Sequence, residues 1–481
     1  MIVRIITTIV ILLAINYSNL IAQRYHRAAD PAVFDKLVSA YIPGAPKLGK
    51  PILIENELGP VAAYGMGWAA PLLYDVDGDG LEDLVIGEFG SGAGTIGMNI
   101  GNLLRVYRNI GSKEEPVYSN TSYFMPYSRK FVGLGAAPMS VNNWCCMAFT
   151  PRLVDLDGDG VKDLAAGVYH PGDVIWFKRQ EDGFDLGKII PQFGQHGKKN
   201  FSSSQKPADM TSDDDLYWYY SVADFADIDG DGKPDAIFGG SSLRYALNTG
   251  DGEKPALGVR TVLRDEQGEP LHVLDVNNFA DKKKLEHKLS QGYLGSSMVP
   301  LVVDWDNDGV EDLLVTNQYV GPGYHLVTFF KGVRKNGKLS FLKGVPLFEP
   351  QGSDKLMPGS WPVLAVGDWN NDGVKDLLIG VSVTTKYDRY DHDLSWSWET
   401  HVNTGKMNPG FSLGKESSSM DRIAETIIRA DSVMRADNLT NNDIANKRFI
   451  DPINEYRRNF VDFGMETVAH KGYVYVLLGE K

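Results

Sequence analysis

The residues of this chain best suited to chemistry are aspartates at one repeated spacing. Five segments share it: Asp75-Val-Asp77-Gly-Asp79-Gly-Leu81-Glu-Asp83, Asp155-Leu-Asp157-Gly-Asp159-Gly-Val161-Lys-Asp163, Asp227-Ile-Asp229-Gly-Asp231-Gly-Lys233-Pro-Asp235, Asp304-Trp-Asp306-Asn-Asp308-Gly-Val310-Glu-Asp312 and Asp368-Trp-Asn370-Asn-Asp372-Gly-Val374-Lys-Asp376. Oxygen donors at positions one, three, five and nine can wrap one hard cation. The backbone carbonyl of position seven (Leu81, Val161, Lys233, Val310 or Val374) completes the shell, and glycine at position six permits the sharp turn. Magnesium demands stricter octahedral geometry and keeps more of its water, so up to five structural Ca²⁺ ions are expected. One such loop could be a solvated acidic turn; five at the same spacing form a repeat.

A second set of residues is defined by position relative to these loops. Each loop runs into a short apolar stretch, such as Leu84-Val-Ile-Gly87 or Leu377-Leu-Ile-Gly380. Residues just past these stretches should gather on one face: Glu88, Tyr169, His170, Ser241, Ser242, Arg244, Asn317, Gln318, Tyr319 and Ser382. Residues leading into the preceding strand should approach the same face: Trp68, Trp144, Tyr217, Tyr219, Tyr220, Tyr293 and Trp361. Aromatic rings beside hydroxyls suit sugars, which stack C–H faces on rings and need hydrogen bonds for their hydroxyls. The expected substrate contacts are Trp68, Glu88, Trp144, Tyr169, Asn317, Gln318, Tyr319 and Trp361. A His, Tyr and Arg set supports elimination next to a uronic acid. The cation neutralises the carboxylate and lowers the cost of a C5 carbanion. His or Tyr removes the C5 proton, and a Tyr hydroxyl protonates the leaving oxygen. Bland readings compete: His170 precedes Pro171-Gly172 and suits a turn, the tyrosines of Tyr217-Trp-Tyr-Tyr220 must alternate between core and surface, and Arg244 could brace a neighbouring strand.

The apolar stretches read as strands buried on both faces. Several repeats add a second strand ending in Asn and Gly, as in Val106-Tyr-Arg-Asn109-Ile-Gly111 and His401-Val-Asn403-Thr-Gly405. Those endings carry hairpin turn chemistry. Units of this size, each several strands long, suit the blades of an all-β propeller. Dividing the mature length by the loop spacing gives about six units. Residues 1–22 read as a secretory signal, with Arg4, an apolar run from Ile5 to Ile15 and a small-residue end at Ala22. The run is too short to span a bilayer. A single propeller domain is then expected over 23–481, secreted or periplasmic, monomeric and without a membrane span. It would include a helical insertion at about 419–463 and a closing strand at 472–479 that pairs with strands near Pro51 to Glu55. The formal net charge of −14 gives no basic footprint for nucleic acid, and bound cations would offset much of it. The only two cysteines, Cys145 and Cys146, are adjacent and exclude a disulfide framework. They are either a vicinal disulfide or two packed thiols.

The loop-and-strand unit resembles the FG-GAP/VCBS repeat of integrin α-chain propellers and of many bacterial exported proteins, over roughly residues 60 to 415. Such propellers usually have seven blades, so the resemblance together with the length arithmetic implies six or seven. A weaker resemblance lies in Asn143-Trp-Cys-Cys-Met147, Arg152-Leu-Val-Asp155 and Tyr169-His170-Pro-Gly172, which are similar to bacterial propeller-type ulvan lyases. That resemblance implies His170 as base or acid, one of Tyr217, Tyr219 or Tyr220 as its partner, and Arg244 as the neutralising cation. The implied substrate is a sulfated rhamnose–uronate polymer or its oligosaccharides. A dehydratase that expels water instead of sugar would use the same groups. The alternative is a non-catalytic propeller binding glycan or protein through this face.

Overall fold

The structure, a computed structural model, describes residues 37–63, 68–89, 102–128, 139–141, 148–168, 172–192, 221–240, 242–251, 253–274, 283, 298–317, 325–349, 360–386 and 468–481. The elements named among them are all strands. They form five antiparallel blades, each opening with a strand, an Asp loop and a second strand that begins on the ninth loop residue, and four two-stranded sheets beside them. Blade one contains Ala69–Tyr74, Asp83–Glu88 and Asn102–Asn109, with Tyr118–Phe124 and Ser140–Val141 on the outer side. Blade two is Arg152–Val154, Asp163–Gly167, Val174–Phe177 and Lys188–Ile189. Blade three is Ala223–Ala226, Asp235–Phe238, Arg244–Ala246 and Thr261–Val262. Blade four is Val299–Val303, Asp312–Thr316, Val327–Phe330 and Val345–Pro346.

Blade five joins the two ends of the chain. Ser360–Gly367 pairs with Asp376–Lys386, which pairs in turn with Val468–Leu477. Ile52–Leu53 and Ala62–Ala63 both add to the outer edge of Val468–Leu477. Lys47–Leu48 pairs with Gly479–Glu480 in a small sheet beside them. Val468–Leu477 overlaps the closing strand expected at 472–479, and Ile52–Leu53 lies within the N-terminal stretch expected to pair with it. The signal segment 1–22 and the helical insertion about 419–463 lie outside the described residues.

The second strands are apolar on both faces because each sheet is sandwiched between two others. Leu84 and Ile86 of blade one pack with Leu378 and Val474 of blade five. Val85, which points the other way, packs with Leu164 and Phe177 of blade two. Further clusters join blades two and three, three and four, and four and five. Each such side chain contributes about 1.5–3 kcal/mol of transfer free energy.

The ring closes through one repeated contact, four residues past each ninth aspartate. A Cβ on Gly87 would lie 1.6 Å from the Phe149 carbonyl oxygen, and one on Gly167 would lie 1.3 Å from that of Ser221. Gly239 and Met298 repeat the contact at 1.8 Å, and Gly380 and Ala69 at 2.1 Å. Blade four has Thr316 at this place, whose hydroxyl donates to the Pro362 carbonyl at 2.6 Å. The sequence of contacts runs one to two, two to three, three to four, four to five and five back to one. The propeller therefore has five blades, not the six or seven expected. The length arithmetic overcounts because the C-terminal residues return to a blade already begun instead of starting another.

Candidate functional site

The Asp loops share one geometry. Asp75 Oδ1 accepts from the amides of Gly78 at 2.7 Å and Asp79 at 3.2 Å, while Oδ2 accepts from Gly80 at 2.9 Å. Asp155 does the same for Gly158, Asp159 and Gly160. Gly78 and Gly80, at φ of 77° and 86°, supply left-handed turns that side chains resist. In loops four and five, Asn307 and Asn371 take the first of those turns at 60° and 54°.

The ninth aspartate has a second role. Asp83 accepts from Val76 N with one oxygen and from Asn109 N, at the end of the third strand, with the other. Asp235, Asp312 and Asp376 repeat the pair with Ile228 and Asn248, Trp305 and Gly332, and Trp369 and Gly479. Asp163 substitutes the Trp176 indole N–H for the loop amide and keeps Arg179 N. Burial, opposed by those amides, pushes Asp83 up to about 7 and both Asp163 and Asp312 up to about 6. Neighbouring carboxylates push the same way, a strain that a bound cation relieves.

Four triads bring carboxylate oxygens within 4.8 Å of one another: Asp75, Asp77 and Asp79; Asp155, Asp157 and Asp163; Asp227, Asp229 and Asp235; Asp304, Asp306 and Asp308. These could hold metal ions such as calcium. The donor set is all oxygen, which suits a hard cation. Three buried third-position oxygens, Asp77 Oδ2, Asp306 Oδ1 and Asn370 Oδ1, accept no hydrogen bond; the first faces the Arg108 guanidinium, and the other two remain open for a ligand role. The fifth loop has one carboxylate fewer, because Asn370 replaces the aspartate.

One buried arginine links the first strands of four blades. Arg152 in blade two is an ion-pair partner of Asp224 in blade three, at 3.2 Å between Nε and Oδ2. Its Nη2 donates to Pro300 O of blade four at 3.0 Å, and Nη1 to Leu364 O of blade five at 3.4 Å. Asp224 also accepts from the amides of Phe225 and Val302. Burial raises the Asp224 pKa and lowers that of Arg152, and their mutual attraction opposes both shifts. Beside this pair, Trp68, Phe89, Ala148, Val222, Val299, Trp361 and Val363 form an apolar cluster drawn from all five blades. The rings of Trp68 and Trp361 are 4.5 Å apart at 43°.

This axial plug corrects the reading of Trp68 and Trp361 as an open platform for sugar. They are 3% and 4% exposed, because strands starting around a narrow five-bladed axis bring their leading side chains against one another. Glu88 is also buried. It pairs with the Arg105 guanidinium through two contacts, one of them 3.2 Å from Nη2 to Oε2, and Arg105 also holds Ser122 Oγ at 2.9 Å. Arg244 starts the third strand of blade three, is 9% exposed, and donates from Nε to Ser242 Oγ at 3.0 Å. Asn317 is fully buried and Ser382 nearly so. Trp144, Tyr169, His170, Tyr217, Tyr219, Tyr220, Ser241, Tyr293, Gln318 and Tyr319 lie outside the described residues, as do Cys145 and Cys146.

Residues flanking two of those segments do meet. Ser221, directly after Tyr220, donates to the carbonyl of Gly172, two residues after His170, at 2.6 Å. Arg260 clamps the junction from below. Its Nη2 reaches Gly172 O at 2.6 Å and Gln192 Oε1 at 3.0 Å, and its Nη1 reaches Ser221 Oγ at 3.0 Å. Its guanidinium carbon lies 3.7 Å from the centre of the Phe238 ring. Phe238 is the register partner of Arg244. Sequence reasoning missed Arg105, Arg260 and the axial role of Arg152. The signal for Arg105 and Arg152 was a basic residue inside an apolar strand whose two faces are both covered, which forces an internal partner.

No family model matches the chain. It is 24% identical over 238 residues to integrin alpha-V of Gallus gallus, covering 49% of this chain and 20% of that protein. The chain thus spans about a fifth of that relative, and the relationship is a distant one to an FG-GAP-type propeller. Among solved structures, Bacillus licheniformis Rhamnogalacturonan Lyase PL11 matches over 71% of this chain and 43% of its own, at 14% identity and a TM-score of 0.20. A superposition at that level supports no inference.

Proposed function

We propose that this protein is an exported, calcium-bearing propeller that acts by β-elimination on a uronate-containing, sulfated ulvan-type polysaccharide or its oligosaccharides. The observation that carries this reading is the hydrogen bond from Ser221 to Gly172. It ties the end of the segment bearing Tyr217, Tyr219 and Tyr220 to the end of the segment bearing His170, on the blade that supplies Arg244. In this reading His170 and one of the tyrosines divide the proton removal and the proton delivery, and Arg244 neutralises the substrate carboxylate. Tyr169, Trp144, Gln318 and Tyr319 are the proposed sugar contacts. Trp68, Glu88, Asn317 and Trp361 act instead from behind, as packing and ion-pair support. The Asp loops take no part in the chemistry; they fix the blades that carry these residues. The protein works as a secreted or periplasmic monomer.

A second reading, a non-catalytic glycan- or protein-binding propeller, draws on a separate observation. The described polar residues expected on this face, Glu88, Ser242, Arg244, Asn317 and Ser382, are all buried. The experiment is incubation with ulvan and with other uronate polymers, followed by ultraviolet absorbance of the unsaturated uronate. Mass analysis of oligosaccharide products separates chain cleavage from loss of water. The expected result is a rise that His170→Ala abolishes without lowering the melting temperature. No rise with any uronate polymer, with glycan binding retained, overturns the lyase reading in favour of the second.

A further inference from the structure

Each loop with four carboxylates at its ligand positions has a basic side chain against them; among the described residues the loop with three has none, because its own Lys375 reaches Asp304 O and Asn307 Oδ1 of loop four instead. Arg108 Nη2 lies 2.9 Å from Asp79 and its Nε contacts Asp77. Lys178 Nζ lies 3.0 Å from Asp159 and contacts Asp157. Lys331 Nζ lies 2.5 Å from Asp308 and contacts Asp306. In each case the cation bridges loop positions three and five. All three sit at one structural position, the residue before the third-strand amide (Asn109, Arg179 or Gly332) that the ninth aspartate holds. Blades three and five have Leu247 and Leu478 there. Loop three is served from within: Lys233 Nζ lies 3.0 Å from Asp231 and donates to the carbonyls of Asn248 and Gly250. In loop five, among the described residues, no ammonium or guanidinium reaches Asp368, Asn370 or Asp372, and position three is the neutral Asn370.

We infer that Arg108, Lys178, Lys233 and Lys331 are built-in counter-ions that compensate the fourth carboxylate of their loops. At the four ligand positions they bring the formal charge of each loop to −3, the charge loop five has there by carrying asparagine; position eight (Glu82, Lys162, Pro234, Glu311 or Lys375) lies outside that count. Two consequences oppose each other. Without metal, the cation stops the carboxylates from driving the loop apart. With metal, the same cation competes for the third- and fifth-position oxygens and lowers affinity, because affinity in oxygen-ligand loops follows ligand charge. The basic residues thus level the charge at the ligand positions of the five sites and stabilise the metal-free propeller. This rests on the reading of the loops as calcium sites.

The experiment measures calcium affinity and melting temperature, in chelator and in saturating calcium, for the full chain and for Lys178→Met, Lys331→Met and Asn370→Asp. Each substitution makes one loop more negative by one charge. The expected result is a tenfold or greater gain in affinity at one site per variant. It comes with a lower melting temperature in chelator and an equal or higher one in calcium. A variant that loses the same stability in both conditions, with unchanged affinity, overturns the inference. Asn370→Asp adds charge at a partly exposed loop and removes no packing, so it reports even if the lysine variants fail to fold. A wild-type chain that binds no calcium and melts alike in both conditions overturns the calcium reading itself, which is a different outcome from unchanged variants of a calcium-binding wild type.

Discussion

Arg152 of blade two and Asp224 of the adjacent blade three form an ion pair, 3.2 Å apart and both buried. With its two carbonyl contacts to blades four and five, Arg152 makes this pair a polar link that touches four blades at once. The arrangement follows from blade number. Five first strands arranged in a ring lie close enough that a long side chain from one can reach the strands of others.

Breaking the link from one side should therefore be severe. Arg152→Met leaves Asp224 charged and buried, and strips donors from Pro300 O and Leu364 O. A loss of about 3–5 kcal/mol is expected in chemical denaturation. Arg152→Met combined with Asp224→Asn should recover part of that loss, since no buried charge then lacks a partner. A double variant as unstable as the sum of the single ones would show that the two residues act independently.

Gly167→Ala tests ring closure. The added methyl would stand 1.3 Å from Ser221 O, so blades two and three must separate. Destabilisation of at least 1–3 kcal/mol is expected, the ordinary range for overpacking. Thr316→Ser, which keeps the hydroxyl that Pro362 O accepts, should be nearly neutral in the same assay.

Much of this architecture was legible because it repeats. The five Asp loops, the strands that follow them and the joining of 472–479 to the N-terminal strands can all be read from spacing and apolar runs. Blade number could not be read that way, because whether a late strand opens a blade or completes one depends on pairing. Val468–Leu477 completes one begun at Ser360. The candidate face was less legible for a related reason. Position past a strand indicates which end of the propeller a residue reaches, but not whether it points outward or inward. Trp68 and Trp361 share the expected end and point at the axis. Glu88 shares it too and is held by Arg105, a partner on the adjacent strand that strand alternation in the sequence left unassigned.

The ninth aspartates should matter even without metal. Asp312→Ala removes the acceptor for Trp305 N and Gly332 N, bonds to a charged group worth about 1.5–3 kcal/mol each. Denaturation in chelator should show that loss. Asp304→Asn keeps an oxygen for the loop amides and should show a smaller one in chelator, and a larger one in calcium. For the unmodified chain, calcium at a hundred times its dissociation constant should add about 2.7 kcal/mol for each site that binds only the folded form. Melting with and without chelator measures this.

Arg260→Lys addresses the proposed active face without removing charge. Lysine can keep one contact and its place over Phe238, but it lacks the planar fork that reaches Gly172 O, Ser221 Oγ and Gln192 Oε1 together. Misplacing catalytic groups by about 1 Å can cost up to a hundredfold in rate. Elimination on a uronate substrate should therefore fall roughly ten- to a hundredfold, mostly in kcat, with a smaller effect on KM. The melting temperature should fall far less than for Arg152→Met, because the charge over Phe238 and one of the three contacts are kept. Equal losses of stability in the two variants, with kcat of Arg260→Lys unchanged where it remains folded, would mark Arg260 as a brace for blades two and three with no part in positioning His170 or the tyrosines.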